Sequence, residues 1–100
     1  MTNLPTNATV SVSRSGSAVE GSTALPCLIL PARPEVFALR EVPAGKAFEI
    51  YFNDLVAVRE TDRLVDDDTD ETYRVVGVAQ YNTPHAAHTE VIAEQRLGNA

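Results

Sequence analysis

From Asp62 onward the chain alternates short β-forming runs with turn residues, and it shows no strongly amphipathic helical pattern. Asp62-Arg63-Leu64-Val65 is followed by the acidic stretch Asp66-Asp67-Asp68-Thr69-Asp70-Glu71. Next comes Thr72-Tyr73-Arg74-Val75-Val76-Gly77-Val78-Ala79, and later His88-Thr89-Glu90-Val91-Ile92-Ala93-Glu94. β-Branched and aromatic residues fill the runs, as suits a pleated, half-buried surface. The acidic stretch then reads as the tip of a hairpin, and Gly77 as a bulge or sharp bend in the return strand, which is expected to run from Thr72 to Tyr81.

The first half continues this grammar. Ala8, Val10 and Val12 alternate with Thr9, Ser11 and Ser13, the period of a half-buried strand, until Ser15-Gly16-Ser17 and Gly21-Ser22 interrupt it. Leu25 to Leu30 is a short apolar run bracketed by Pro31 and Pro34, which favours a buried strand; Pro26 places its beginning at an edge or a strand start. In the run from Ala47 to Phe52, Phe48, Ile50 and Phe52 share one face, with Glu49 and Tyr51 on the other. Leu55 to Val58 and Leu64-Val65 read as short strand pieces, and a last strand is expected from His88 to about Arg96. Residues 34–45 read as a loop. The expected fold is all-β: a small antiparallel β-barrel of five to six strands, with a long loop between the second and third, in one domain spanning 1–100 whose ends are mobile unless a neighbour orders them.

Size and charge narrow the function. A chain of 100 residues buries about two-thirds of its unfolded surface, enough for one modest core. Eight basic residues against 14 acidic ones leave a net charge of -6, a field that repels phosphate and anionic lipid. No apolar stretch approaches the roughly 20 residues that span a bilayer. Met1-Thr2-Asn3-Leu4-Pro5 has no signal-peptide character, which points to an intracellular origin. Asn7-Ala8-Thr9 matches a glycosylation sequon, but only secretion would give it meaning. The single cysteine, Cys27, lies in an apolar run and reads as a small buried hydrophobe.

None of the chemistry-bearing clusters completes a catalytic or metal pattern. Asp66, Asp68 and Asp70 have the alternate spacing of a calcium loop's start, but its sixth and twelfth positions here hold Glu71 and Gly77 instead of glycine and glutamate. A solvated tip is the simpler reading, and it also protects the adjoining strand edge. His85 and His88 lack the further ligands zinc requires, with only Glu90 nearby. The Ser15-Gly16-Ser17 neighbourhood is no nucleophile elbow, and no phosphate-binding glycine loop occurs. Asp54 and Asp62 form an acid–base pair only if the fold makes them face each other. No catalytic residue, cofactor or metal ligand is therefore assigned, and function is expected in assembly.

Asp62-Arg63-Leu64, the acidic turn, Tyr73-Arg74-Val75-Val76-Gly77-Val78 and His88-Thr89-Glu90-Val91 together resemble the C-terminal half of bacteriophage head-closure proteins, the stoppers of the head-to-tail connector. The likeness covers about residues 46 to 96. It implies a structural virion protein, made in the host bacterial cytoplasm, whose copies form a homo-oligomeric ring at the neck. That ring closes the DNA-filled capsid below the portal and adaptor and docks the tail or its terminator protein. Genomic DNA would pass through the lumen without specific binding, a role that acidic character suits.

Under that reading, partner contacts are expected from Glu35, Val36, Phe37, Leu39, Arg40 and Val42, too apolar together for a long free loop, and from Arg59, Arg63, Arg74 and Arg96 facing a neighbour's acidic tip at Asp66, Asp67, Asp68 and Asp70. Exposed ion pairs contribute only about 0–1 kcal/mol each, so a monomer that assembles on a template is expected. Three alternatives stand beside it: a tail-completion or terminator ring, an OB-like barrel binding single-stranded nucleic acid, and a calcium-stabilised β-module or small enzyme centred on Asp66 to Asp70. The OB-like reading needs a basic groove with stacking aromatics, whereas Phe48 and Phe52 read as core and Tyr51, Tyr73 and Tyr81 are dispersed.

Overall fold

The computed structural model describes residues 5–33, 46–84 and 87–96. Seven strands carry them: β1 (Ala8–Arg14), β2 (Ser17–Ala18), β3 (Leu25–Pro31), β4 (Ala47–Phe52), β5 (Arg63–Asp66), β6 (Thr72–Tyr81) and β7 (His88–Arg96). No helix occurs among the described residues, hence none long and apolar enough to cross a membrane. All pairings are antiparallel, in the order β1-β3-β4-β7-β6-β5, and β5 returns to β1 to close a six-stranded barrel. The small all-β barrel expected from the sequence is present, with β2 as one extra strand.

That extra strand comes from Ser15-Gly16. Both residues take left-handed backbone (φ 53° and 82°), the geometry of a two-residue hairpin loop, and Arg14 pairs with Ser17 across it. β1 closes the barrel by changing neighbours along its length. Residues 8–10 pair with β3, while residues 10–13 pair with β5. Its alternation turns Val10 and Val12 inward, where they join Cys27, Ile50, Phe52, Leu64, Tyr73, Val75, Val91 and Ala93 in the core.

One strand reading is corrected. Leu55 to Val58 is not a strand: Val56 and Val58 are buried from an irregular connection that crosses the barrel end. Val56 N–H donates to Thr89 Oγ1 (3.0 Å), and Gln80 Nε2 donates to the Val56 carbonyl (2.6 Å), so side chains replace a ladder there. The two faces of β4 fall as the alternation places them, and Glu49 on the outer face is nonetheless buried, because Arg33 and Tyr51 lie against it.

The bulge at Gly77 is seen. Val75 pairs with Ala93 and Gly77 with Ile92, leaving Val76 as the extra residue. The bulge also reverses the inward phase of β6. Tyr73 and Val75 face in before it; Val78, opposite Val91, packs against the core after it. Gly77 and Ala79 consequently lie on the outer wall.

The acidic stretch is a hairpin tip. Asp66 N–H donates to the Glu71 carbonyl and Asp70 N–H to the Asp66 carbonyl, each at 2.8 Å. Asp70 takes φ 62°, which aspartate tolerates better than most residues. The loop residues Glu35, Val36, Phe37, Leu39, Arg40 and Val42, together with His85 and both chain ends (1–4 and 97–100), lie outside the described residues.

Candidate interaction surface

The outer wall over β4, β7 and β6 holds the first feature. Register lines up Glu49, Ile92 and Gly77 in one row and Tyr51, Glu90 and Ala79 in the next. Because Gly77 and Ala79 are small, the wall dips there into a cleft of about 110 Å³, bordered by Arg33, Glu49, Tyr51 and Glu90. Glu49 accepts from Arg33 N–H (3.0 Å), Nε (3.1 Å) and Nη2 (3.2 Å), and from Tyr51 Oη (2.6 Å). Burial disfavours its charge, but the Tyr51 and Arg33 hydrogen bonds outweigh burial and hold the carboxyl below its ordinary value. Burial and the same carboxylate push the Tyr51 phenol up to about 12.

With four donors on one carboxylate, Glu49 is a structural acceptor and has little capacity left for a substrate. The cleft's rim continues to Tyr81, stacked on His88 with ring centroids 4.6 Å apart, and to Glu90, 3.0 Å from His88 Nε2. Exposed Leu30 and Tyr81 add apolar surface to this wall.

The second feature is electrostatic. The register of β5, β6 and β7 puts Arg63 opposite Arg74, Arg74 opposite Glu94, and Arg96 opposite Thr72, all on the outer face. Glu94 Oε1 meets Arg74 Nη2 at 3.5 Å and Arg96 Nη1 at 3.4 Å, so one oxygen serves two guanidiniums at long range. At the nearby hairpin tip Asp68 and Asp70 are exposed, and Asp67 accepts from Ser11 Oγ. Asp66 is buried, and its Oδ1 accepts from the backbone N–H groups of Asp68 (2.9 Å) and Thr69 (3.2 Å). Among the described residues no group of three or more histidine, cysteine or acidic side chains is arranged to hold a metal ion.

Arg59 does not join the arginine row. Its N–H donates to Asp62 Oδ2 (2.9 Å), in the turn that precedes β5. Asp62 itself is 2% exposed and accepts a bidentate pair from Arg14, Nε to Oδ1 and Nη2 to Oδ2, both at 2.8 Å. The adjacent Thr61 has φ 74°, strained for a β-branched residue, and is held by its N–H to the Val75 carbonyl. Asp54 is engaged elsewhere, its Oδ1 accepting from Leu55 N–H. The two acids therefore each serve local structure. Cys27 is fully buried, and burial, with the charge of Asp66, pushes its thiol up to about 12.

The chain matches no protein family, no curated protein and no solved structure.

Sequence reasoning missed Arg33–Glu49–Tyr51 and Arg14–Asp62. The only local signal was Glu49 flanked by apolar neighbours in β4. Its arginine lies 16 residues away, and Asp62 and Arg14 are 48 apart, beyond any local pattern. Both carboxylates predict an acid-labile fold. Hydrogen bonds from Arg14 lower the Asp62 pKa, and Glu49 is lowered as well, so the unfolded chain binds more protons as pH falls. Their stabilisation is full above the ordinary values of 4.5 and 3.8 and is lost as pH drops through the lower folded values. Urea midpoints are expected to stay level near neutrality and fall steadily below about pH 4.5; a midpoint flat down to pH 3 would contradict this.

Proposed function

We propose that this chain is a structural subunit of a bacteriophage neck, forming a ring at the head–tail interface that closes the DNA-filled capsid below the portal and adaptor and docks the tail. The observation that carries the reading is where the resemblance falls. Its three runs occupy β5, β6 and β7, strands that pair with one another in order, so the likeness covers one continuous wall of the barrel. That wall carries an arginine row beside an acidic tip, the kind of mixed surface that orients one copy against a different face of the next.

The test is to mix the purified chain with portal complexes, with and without adaptor, and image the product. A ring of this chain at the portal exit is the expected result. Decoration of the tail end alone would transfer the chain to the tail-completion class, and no added density on either would remove the neck reading.

Single-strand nucleic-acid binding finds less support. Tyr51 and Tyr81 do lie on the outer wall, but Glu49 and Glu90 stand among them, so phosphates meet like charge where bases would stack. Fluorescence anisotropy with a labelled oligonucleotide at low salt is expected to show no binding at micromolar protein.

A further inference from the structure

We propose that the arginine row of Arg63, Arg74 and Arg96 receives the acidic hairpin tip, Asp68 and Asp70, of a second copy of this chain. The pairing names the contact by which the proposed ring would grow, and it rests on that reading.

The row is under-neutralised. Glu94 is the one carboxylate in an ion pair with the row among the described residues, and it meets only Arg74 and Arg96, at 3.5 and 3.4 Å. Arg63 and Arg74 are direct cross-strand neighbours of like charge, a pairing that costs stability unless an anion relieves it. The Arg74 side chain is 44% exposed with its ion pair to Glu94 stretched to 3.5 Å, and the Arg63 guanidinium makes no ion pair among the described residues. Such a row is complementary to a group bearing two carboxylates.

The chain carries that group. The Asp68 and Asp70 side chains are exposed and accept no hydrogen bond among the described residues. Their backbone is held by Asp66, which accepts from Asp68 and Thr69 and pairs with Glu71 and Asp70. Asp67, tied to Ser11, fixes the tip to β1. A tip already ordered loses little freedom when it docks. Within one molecule the tip and the row form no ion pair among the described residues, so each remains available to another copy.

Nucleic acid fits the row less well, because a phosphate chain following it would meet Glu94 and then the acidic tip. Since exposed charge pairs are individually weak, the contact is expected to be transient in solution and to accumulate only where a template aligns many copies.

Static light scattering of the full chain tests the pairing without a portal. At low ionic strength, where screening reaches about 30 Å, the wild-type chain is expected to attract itself despite its net charge, giving a negative second virial coefficient that turns positive in high salt. Arg63→Glu/Arg74→Glu and Asp68→Lys/Asp70→Lys should each abolish the attraction, and their equimolar mixture should restore it. Repulsion in the wild type that scales with net charge alone overturns the pairing.

A covalent trap separates this from the ring itself. Asp68→Cys and Arg74→Cys chains, mixed under mild oxidation, are expected to form a mixed disulfide dimer, with Cys27 buried and unreactive. A chain carrying both changes should give a ladder of head-to-tail oligomers, supporting pairing and ring together. A closed dimer with two bridges would uphold the pairing and overturn the ring. Absence of any mixed disulfide would overturn the pairing, while the portal experiment still decides the function.

Discussion

Phe52→Ala is expected to lower the unfolding free energy by about 3–5 kcal/mol, the largest effect of any single truncation in this barrel. Phe52 is 1% exposed and ends β4 opposite Thr89, beside Val56 from the irregular connection. Two of its neighbours, Val56 and Thr89, are tied in place. Val56 is fixed through its N–H to Thr89 Oγ1, and Thr89 in turn donates to the Asp54 carbonyl (2.9 Å). The lost transfer energy and the residual cavity therefore add. Against a total stability of about 5–15 kcal/mol, this removes a large fraction of the margin. Urea denaturation followed by circular dichroism should show a sharply lower midpoint with an unchanged slope. A shift worth less than about 1 kcal/mol would mean that the core at this end is not packed as described.

The second expectation concerns Asp62, where Asp62→Asn should cost about 2 kcal/mol and flatten the acid limb of the stability profile. The carboxylate accepts from Arg14 and from the Arg59 N–H, while its own backbone carbonyl accepts from Val75 N–H at 2.9 Å. It thus joins the end of β1, the connection after β4 and the β5–β6 pair. An amide keeps the size but turns one end into a donor facing the Arg14 guanidinium, so one of the two parallel bonds becomes a clash of donors. Because the Asp62 pKa is lowered in the folded state, its contribution exists only while the group is ionised. The variant should therefore lose stability at neutral pH, and its deficit should shrink as pH falls below 3.8 toward the lower folded value. A deficit that stays constant down the acid limb would assign the effect to packing instead of charge.

The β content and most strand positions were legible because they depend on local alternation. Val10 and Val12 turn inward in β1, and the strands from Ala47 to Phe52, Thr72 to Tyr81 and His88 to Arg96 fall where their β-forming residues place them. The acidic turn was legible for a similar reason: consecutive aspartates favour turns through their own backbone contacts. Leu55 to Val58 misled because burial there is provided by an irregular segment whose polar groups are satisfied by Thr89 and Gln80, partners far along the chain. Ser15-Gly16 was read only as an interruption, although its two left-handed residues return the chain into β2.

The arginines show the same division. Each was visible in the sequence as a charge, but only strand register places Arg63, Arg74 and Arg96 on one face while Arg59 stays with the Asp62 turn. By itself, the sequence determined an acidic all-β chain with a hairpin tip and a bulged return strand, since periodicity, turn chemistry and net charge are properties of neighbouring residues. Tertiary structure alone decided that β1 closes the barrel onto β5, that Glu49 and Asp62 are buried with distant arginines, and that a basic row faces outward beside an acidic tip. Those outcomes depend on which strands become neighbours, and that choice is made by burying one shared core.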